Sequence, residues 1–222
     1  MNFDIQTLSI IVAVSSVVFA FATITVARMI PSEKHLMDWA WGAGLTAAST
    51  FLVGMRGIIP EFVSAAIANT LLSFGFVAMY RGSLGMFGRQ KFHNGLWLVG
   101  LAAFVALTWF TLVVPDIRAR VIVLSLVAGP LLLLTAHAFF QHDRHVGPNP
   151  LRMANRITIF ICVFGASIFF VRMAFTIQSQ AITNYTVSNS FWFVAPYLWA
   201  ILFTVWLSIT VTLHANSKLL AA

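Results

Sequence analysis

The chain has 222 residues, of which 60% are hydrophobic and only 9% are charged, whereas a soluble domain carries about 25% charged residues. This composition excludes an ordinary soluble domain and predicts a polytopic helical membrane protein. The apolar runs are too long and too continuous for the strands of a membrane barrel, which alternate over about 10 residues. Helices are then the remaining way to satisfy the backbone hydrogen bonds in lipid.

Seven apolar segments follow one another along the chain, and a membrane span needs about 20 such residues. In chain order, the predicted spans are 5–30, 36–59, 62–87, 96–114, 117–140, 153–177 and 191–213. The loops between them are too short for a soluble domain. The predicted fold class is therefore all-α: a polytopic membrane protein with a bundle of seven transmembrane helices, forming a single domain over residues 1–222.

The net charge of +7 does not indicate nucleic-acid binding, because the basic residues lie between the apolar segments and act there as topology signals. The loops of one side and the C-terminal tail carry nine of them: Arg28, Lys34, Arg81, Arg89, Lys91, Arg144, Arg152, Arg156 and Lys218. The opposite loops carry three: Arg56, Arg118 and Arg120. This asymmetry predicts an N-terminus outside and a C-terminus in the cytoplasm. Membrane lipid is an expected partner.

Polar side chains at helical spacings mark the hairpin formed by the second and third spans. The faces they mark are Gly42, Thr46, Ser49, Val53 and Arg56 on the second span, and Asn69, Ser73, Phe76 and Tyr80 on the third. Pro60 ends the second span, so Arg56 and Asn69 are predicted to lie in the outer half of the membrane. Arg172, near the outer end of the sixth span, belongs to the same half. A guanidinium there must reach the interface, pair with an acid or line a wet cavity.

Two interpretations of this polar cluster are open. In one, Arg56 and Arg172 extend to the outer headgroups and Asn69 bonds a neighbouring helix. In the other, these side chains form the polar mouth of a small-molecule site with an apolar floor. The acids available at that level are Asp4, Glu61 and Asp116. The predicted ligand-binding set is Arg56, Asn69, Arg172, Ser49, Ser73, Tyr197 and Trp199.

A tryptophan stripe runs along the seventh span, where Trp192, Trp199 and Trp206 recur every seven residues. The stripe is typical of helix packing or of a lipid-facing surface. It is also compatible with a homodimer seam, or with Tyr197 or Trp199 forming a wall of the ligand site.

Enzyme chemistry has little support in this sequence. It contains no carboxylate pair, no phosphate-binding glycine loop and no cysteine cluster. No span contains a helically spaced histidine pair for haem or metal, and the lysines lie in loops, which excludes a retinal Schiff base. We therefore expect a protein that is not an enzyme and that needs no cofactor and no metal.

Several short motifs resemble the N-terminal membrane region of many bacterial diguanylate cyclases. They are Asp38-Trp39-Ala40, Met55-Arg56-Gly57-Ile58-Ile59-Pro60, Ile67-Ala68-Asn69-Thr70-Leu71-Leu72, Tyr80-Arg81-Gly82, Phe87-Gly88-Arg89 and Phe170-Val171-Arg172. In that group, which is similar to the membrane-associated sensor (MASE-type) class, a multi-helix input module precedes a cytoplasmic GGDEF domain that makes cyclic di-GMP. The resemblance implies a sensor in the bacterial inner membrane. It also implies an output domain C-terminal to Ala222, because this chain contains no GGDEF-like sequence.

Three functional hypotheses follow from these patterns. The first is a receptor domain that binds a small amphiphile, such as an acyl-homoserine lactone, at Arg56, Asn69 and Arg172, and that signals through the seventh span of a homodimer. The second is a transporter or permease that uses the same site, although an odd number of spans without a visible repeat argues against this class. The third is an assembly or anchoring subunit without a ligand, whose outer half would be fully packed.

Overall fold

The computed structural model describes residues 5–31, 33–88, 94–145, 151–178 and 191–219. Within these ranges the α-helices are α1 (Ile5–Met29), α2 (His35–Gly54), α3 (Ala68–Met86), α4 (Trp97–Leu112), α5 (Ile117–His145), α6 (Arg152–Gln178) and α7 (Phe191–Leu219). A π-helix (Phe62–Ile67) leads directly into α3, and a short 3-10 turn (Asn94–Leu96) precedes α4. The prediction of an all-helical protein, with one helix for each apolar segment, is confirmed.

Five helical stretches are long and apolar enough to cross a membrane: Ile5–Met29, Phe62–Met86, Ile117–Arg144, Arg152–Gln178 and Phe191–His214. The apolar helix α4 is shorter, with 16 residues. Helix α2, with 20 residues, is not one of these five stretches. It lies between α1 and α3 and uses small residues to approach both. A Cβ added at Gly42 would lie 2.6 Å from Cγ of Met79, and one added at Gly54 would lie 3.1 Å from Cγ1 of Ile10.

Six of the helices form a closed ring, in which α1, α2, α3, α5, α6 and α7 follow one another and α7 returns to α1. The remaining helix, α4, packs outside this ring against α3 and α5. Its outside position agrees with its burial, since only Gly100, Ala103 and Leu107 of α4 are buried. The interior of the ring is therefore formed by helices from both ends of the chain.

Aromatic rings seated on glycines join four pairs of adjacent helices. The pairs are Trp39 on Gly82, Phe74 on Gly100, Phe170 on Gly129 and Trp199 on Gly165. Lipid tails are as apolar as the side chains, so close packing of this kind holds membrane helices together more than hydrophobic burial does. Two of these contacts are equally tight, because an added Cβ would lie 2.3 Å from Cε2 of Trp199 at Gly165 and 2.3 Å from Cε1 of Phe74 at Gly100.

The outward surface of the ring is apolar over its length. Phe21 is 71% exposed, Phe160 is 68% exposed and Trp41 is 65% exposed. A contiguous surface of this kind marks a protein that contacts lipid or another apolar partner. Together with the five spanning helices, it identifies a helical membrane protein.

The α2–α3 turn departs from the predicted boundaries. The second helix was expected to continue to residue 59, but it ends at Gly54, and Arg56 therefore lies in a turn and not on a helical face. Gly57 has a φ of 92°, a conformation that side chains with a Cβ rarely adopt. Farther along, α5 extends to His145, where a loop was expected after residue 140.

Candidate functional site

A cavity lies inside the ring, between α2, α3, α5, α6 and α7. A volume of about 60 Å³ within it is wide enough for the centre of a water-sized sphere, so it has room for several water molecules. Its lining residues are Thr46, Ser49, Thr50, Val53, Arg56, Asn69, Leu72, Phe76, Met79, Leu124, Phe169, Arg172, Pro196, Tyr197, Trp199, Ala200, Phe203 and Thr204. The cavity thus joins the polar cluster of the α2–α3 hairpin to α6 and α7.

Six of the seven residues predicted to bind a ligand line this one cavity: Arg56, Asn69, Arg172, Ser49, Tyr197 and Trp199. They come from α2, the α2–α3 turn, α3, α6 and α7, so tertiary packing brings them together. The seventh, Ser73, is not a lining residue. It is fully buried, and its hydroxyl donates a hydrogen bond of 2.9 Å to the carbonyl oxygen of Asn69.

The face that α3 turns towards the cavity is rotated relative to the predicted one. The lining residues of α3 are Asn69, Leu72, Phe76 and Met79, whereas the predicted face replaced Leu72 by Ser73 and Met79 by Tyr80. Both series have helical spacing, and polarity alone favoured the serine and the tyrosine. Packing against α2 decides between them, since Met79 is the side chain that contacts the Gly42 position.

Arg172 is the most informative side chain in the cavity. It is only 5% exposed, so it does not extend to the surface as a snorkelling arginine would. Its Nε is buried without a hydrogen-bond partner among the described residues. The guanidinium carbon lies 5.2 Å from the ring centroid of Phe193, a cation–π contact that orients the group without offering it a hydrogen-bond acceptor. A buried charge of this kind is costly unless an acceptor pairs with it.

The acids that were expected near the arginines are engaged elsewhere. Glu61 accepts a hydrogen bond of 2.8 Å from Nη1 of Arg120, which was expected to be a loop residue but lies in the first turn of α5 and is 3% exposed. Oδ1 of Asp116 caps α5 by accepting from the backbone N–H of Arg118 at 2.8 Å. Asp4 lies outside the described residues. Neither Glu61 nor Asp116 therefore neutralises Arg172.

Arg56 reaches the cavity from the turn and is held there by the π-helix. Its Nη2 donates a hydrogen bond of 3.2 Å to the carbonyl oxygen of Ser64, which is a π-helical residue. Its own carbonyl oxygen accepts a bond of 2.8 Å from Nε2 of Gln6. Single π-helical turns are frequent at functional sites, and this one fixes the position of a second positive charge beside the cavity.

Two further polar groups of the lining have no protein partner within the described part of the chain. Ser49 is fully buried, and its hydroxyl makes no hydrogen bond there. Asn69 is 8% exposed, and none of the hydrogen bonds between described residues involves its side-chain amide. The bond from Asn69 to a neighbouring helix, expected if the cluster were structural, is therefore not formed among these residues. Buried polar groups are nearly always hydrogen-bonded, so this part of the lining suits a polar ligand.

Aromatic rings form the apolar part of the lining. Phe76 meets Phe169 edge-on with ring centroids 6.0 Å apart, Phe169 meets Trp199 in the same way at 6.0 Å, and Trp199 stacks on Phe203 at 4.7 Å. The indole N–H of Trp199 donates to the carbonyl oxygen of Ile161 at 2.9 Å, so this ring is fixed in place. Its wall of the cavity is rigid and presents no free polar atom.

The tryptophan stripe therefore divides between two roles. Trp199 lines the cavity, whereas Trp206 packs α7 against α6 by donating a hydrogen bond of 3.0 Å from its indole N–H to Oγ1 of Thr158.

The prediction overlooked Phe169, although Phe169 precedes Arg172 by three residues on the same helix and therefore shares its face. It also overlooked Phe193, which precedes Tyr197 by four residues.

The lining of the cavity is basic and apolar. It combines two arginines and a few hydroxyl and amide groups with an aromatic floor, and it contains no carboxylate, histidine or thiol that could serve in acid–base or nucleophilic catalysis. Among the described residues, no group of three or more His, Cys, Asp or Glu side chains could hold a metal ion.

Comparison with known proteins assigns the chain to no family: no family model matches it, and neither the curated proteins nor the solved structures include a significantly similar one. The resemblance to the membrane region of diguanylate cyclases therefore stays a prediction.

Proposed function

We propose that this chain is a membrane-embedded ligand-sensing domain of a receptor, and that it binds a small amphiphile in the cavity between α2, α3, α5, α6 and α7. The observation that carries the proposal is the buried guanidinium of Arg172, which lines a cavity, pairs with no carboxylate among the described residues, and has an Nε without a hydrogen-bond partner there. A packing or anchoring subunit gains nothing from such a charge, because burying it costs free energy. A receptor recovers that cost when its ligand binds.

The two kinds of lining residue favour an amphiphile over a wholly polar ligand. A polar head can bond Arg172, Ser49 and Asn69, while an apolar tail packs against Phe169 and Trp199. Ligand sites in proteins usually combine apolar walls with a few placed polar groups in this way. An acyl-homoserine lactone is one signal of the required form.

The proposed topology has all seven helices crossing the bacterial inner membrane, with the N-terminus outside and the C-terminus in the cytoplasm. Support comes from the excess of Lys and Arg in alternate loops and from the packing of α2 and α4 beside five helices that are long enough to span. The α2–α3 turn then faces outwards, and the ligand enters from the outer leaflet or the external medium.

The proposed output passes along α7. This helix contributes Pro196, Trp199 and Phe203 to the cavity and continues to Leu219. Pro196 has no N–H to bond the preceding turn, which makes it a natural point for a change in helix direction. A ligand that binds one packing of α7 better than another shifts the population between them. In a homodimer, this shift would control a cytoplasmic diguanylate cyclase-type domain beyond Ala222, and hence the level of cyclic di-GMP.

The first test compares ligand binding before and after a substitution that fills the cavity. Tritiated N-dodecanoyl-homoserine lactone is titrated onto the chain in phosphatidylcholine nanodiscs, and binding to empty nanodiscs is subtracted. Saturable binding is expected for the unmodified protein and a loss of at least about tenfold in affinity for Ala200→Phe, because Ala200 lines the cavity and a phenyl group would occupy it.

The matched control is Ala48→Phe, which adds the same ring on the exposed apolar surface between α1 and α2 and should leave affinity within about twofold, since it fills no part of the cavity. Equal loss in both variants would contradict a cavity site. Uptake of the probe into proteoliposomes would favour transport, whereas saturable binding without uptake is the result expected of a receptor.

A further inference from the structure

We propose that the cavity selects an anionic amphiphile, with a single carboxylate head and one unbranched acyl chain, over uncharged amphiphiles of the same length. This inference rests on the proposed function and names the class of ligand.

The charge of the cavity lining favours an anionic head group. The cavity is lined by Arg56 and Arg172 and by no acidic residue. Arginine retains its charge inside proteins, and its planar guanidinium matches a carboxylate with two parallel hydrogen bonds. A neutral head would leave the charge of Arg172 without a carboxylate in an interior of low polarity, where Coulomb interactions are strong. A carboxylate therefore gains more from this site than an ester or an alcohol does.

The five acids that the structure describes leave that role open; Asp4 lies outside the described residues. Glu61 pairs with Arg120 at 2.8 Å, Glu33 pairs with His35 at 3.1 Å, and Asp143 pairs with Arg152 at 3.3 Å. Asp116 caps α5, and Asp38 lies in the first turn of α2, at the end of that helix far from Arg56. Residues 179–190 contain no acid. Within the described residues, nothing neutralises Arg172 internally.

The size and length of the cavity favour a single acyl chain. Only about 60 Å³ is open to the centre of a water-sized sphere, and so small a volume favours a single acyl chain over a larger ring system. Asn69 and Met79 both line it and lie ten residues apart on α3, a rise of about 15 Å along a helix. Carbon–carbon bonds of about 1.5 Å advance an extended alkyl chain by roughly 1.25 Å per carbon. The length therefore corresponds to roughly twelve carbons.

The remaining polar groups suit a ligand with an amide next to the carboxylate. Ser49 offers a hydroxyl that can donate or accept, and Asn69 offers both a carbonyl oxygen and an amino group. Neither side chain uses these groups on another described residue. An N-acyl amino acid presents an amide N–H and C=O beside its carboxylate, so it can satisfy Arg172 and both neighbours together.

A matched pair of probes tests the head group. N-dodecanoyl-homoserine lactone is uncharged, and hydrolysis of its ring ester gives N-dodecanoyl-homoserine, which has the same tail and amide but carries a carboxylate. Both are titrated onto the protein in phosphatidylcholine nanodiscs. We expect the open acid to bind at least about tenfold tighter than the lactone, since hydrogen bonds between charged partners are the stronger ones.

Variants then assign the preference to Arg172. Arg172→Gln should reduce the advantage of the acid to less than about threefold, and Arg172→Lys, which keeps the charge, should retain most of it. The control Arg118→Gln removes the same charge from a residue that does not line the cavity and should keep the full advantage. Helicity and the unfolding midpoint of each variant confirm that it is folded.

The outcomes separate this inference from the proposed function. Equal affinities for the two probes, or tighter binding of the lactone, would overturn the anionic class while leaving an amphiphile receptor in place. An acid preference that survives Arg172→Gln would also overturn it, because the selecting charge would then lie elsewhere. Absence of saturable binding by both probes would refute the proposed function itself.

Discussion

Two arginines in the same bundle, Arg120 and Arg172, are buried to nearly the same extent and have opposite surroundings. Arg120 is 3% exposed and Arg172 is 5% exposed. Both have an Nε without a hydrogen-bond partner among the described residues, but Nη1 of Arg120 donates to Glu61 at 2.8 Å, whereas Arg172 pairs with no carboxylate there and its guanidinium carbon lies 5.2 Å from the ring centroid of Phe193. Burial alone therefore does not separate the two arginines, and what separates them is the internal carboxylate that Arg120 has and that Arg172 lacks among the described residues.

The largest expected effect on stability tests this contrast directly. Glu61→Ala should destabilise the bundle by about 2 to 3 kcal/mol, because it leaves the buried guanidinium of Arg120 without its carboxylate. We place the effect below that of a fully buried pair because the side chain of Glu61 is 67% exposed. Unfolding of the protein in detergent micelles measures the change.

Arg172→Leu should have the opposite sign in the same assay, because it removes a buried charge that pairs with no carboxylate among the described residues. The double variant Glu61→Ala with Arg120→Leu should recover most of the stability lost in Glu61→Ala. A strong destabilisation by Arg172→Leu would show that an internal acid, and not a ligand, neutralises this residue.

The aromatic end of the cavity provides the next test. Gly165→Ala should destabilise the protein by about 1 to 2 kcal/mol, because the added methyl group overlaps the indole of Trp199 and forces it to move. The displaced ring should also weaken acyl-chain binding, which the nanodisc titration measures. Gly44→Ala is the control, since an added Cβ there meets nothing within 4 Å; equal effects in both variants would argue against a rigid aromatic wall.

The smallest expected effects come from two buried serines, of which one has a hydrogen-bond partner among the described residues and the other does not. Ser73 donates to the carbonyl oxygen of Asn69 at 2.9 Å, and Ser73→Ala should cost about 0.5 to 1 kcal/mol for the lost hydrogen bond. Ser49→Ala should be neutral or slightly stabilising, because its buried hydroxyl has no described partner to lose, but it should weaken binding of the acyl-homoserine about threefold. The prediction fails if the two variants have the same stability and the same affinity.

The candidate site was largely predictable because charged and amide side chains are rare in apolar helices and usually have a function there. That reasoning identified Arg56, Asn69 and Arg172 without knowledge of the fold. It also selected Ser73, which does not line the cavity, because two helical faces of α3 have equivalent spacing and the more polar one was preferred. It also treated Arg120 as a loop residue, since charge counting does not reveal that Glu61 approaches from the α2–α3 turn.

The sequence by itself determined that this is an all-helical membrane protein, because hydropathy and helical periodicity are properties of neighbouring residues along the chain. The helical content and the location of the polar clusters follow from those local properties. Only the tertiary structure decided which helices close the ring, which arginine receives the carboxylate of Glu61 and that Trp199 lies over Gly165. These outcomes depend on side chains from distant parts of the chain meeting at van der Waals distance, and no local pattern encodes that meeting.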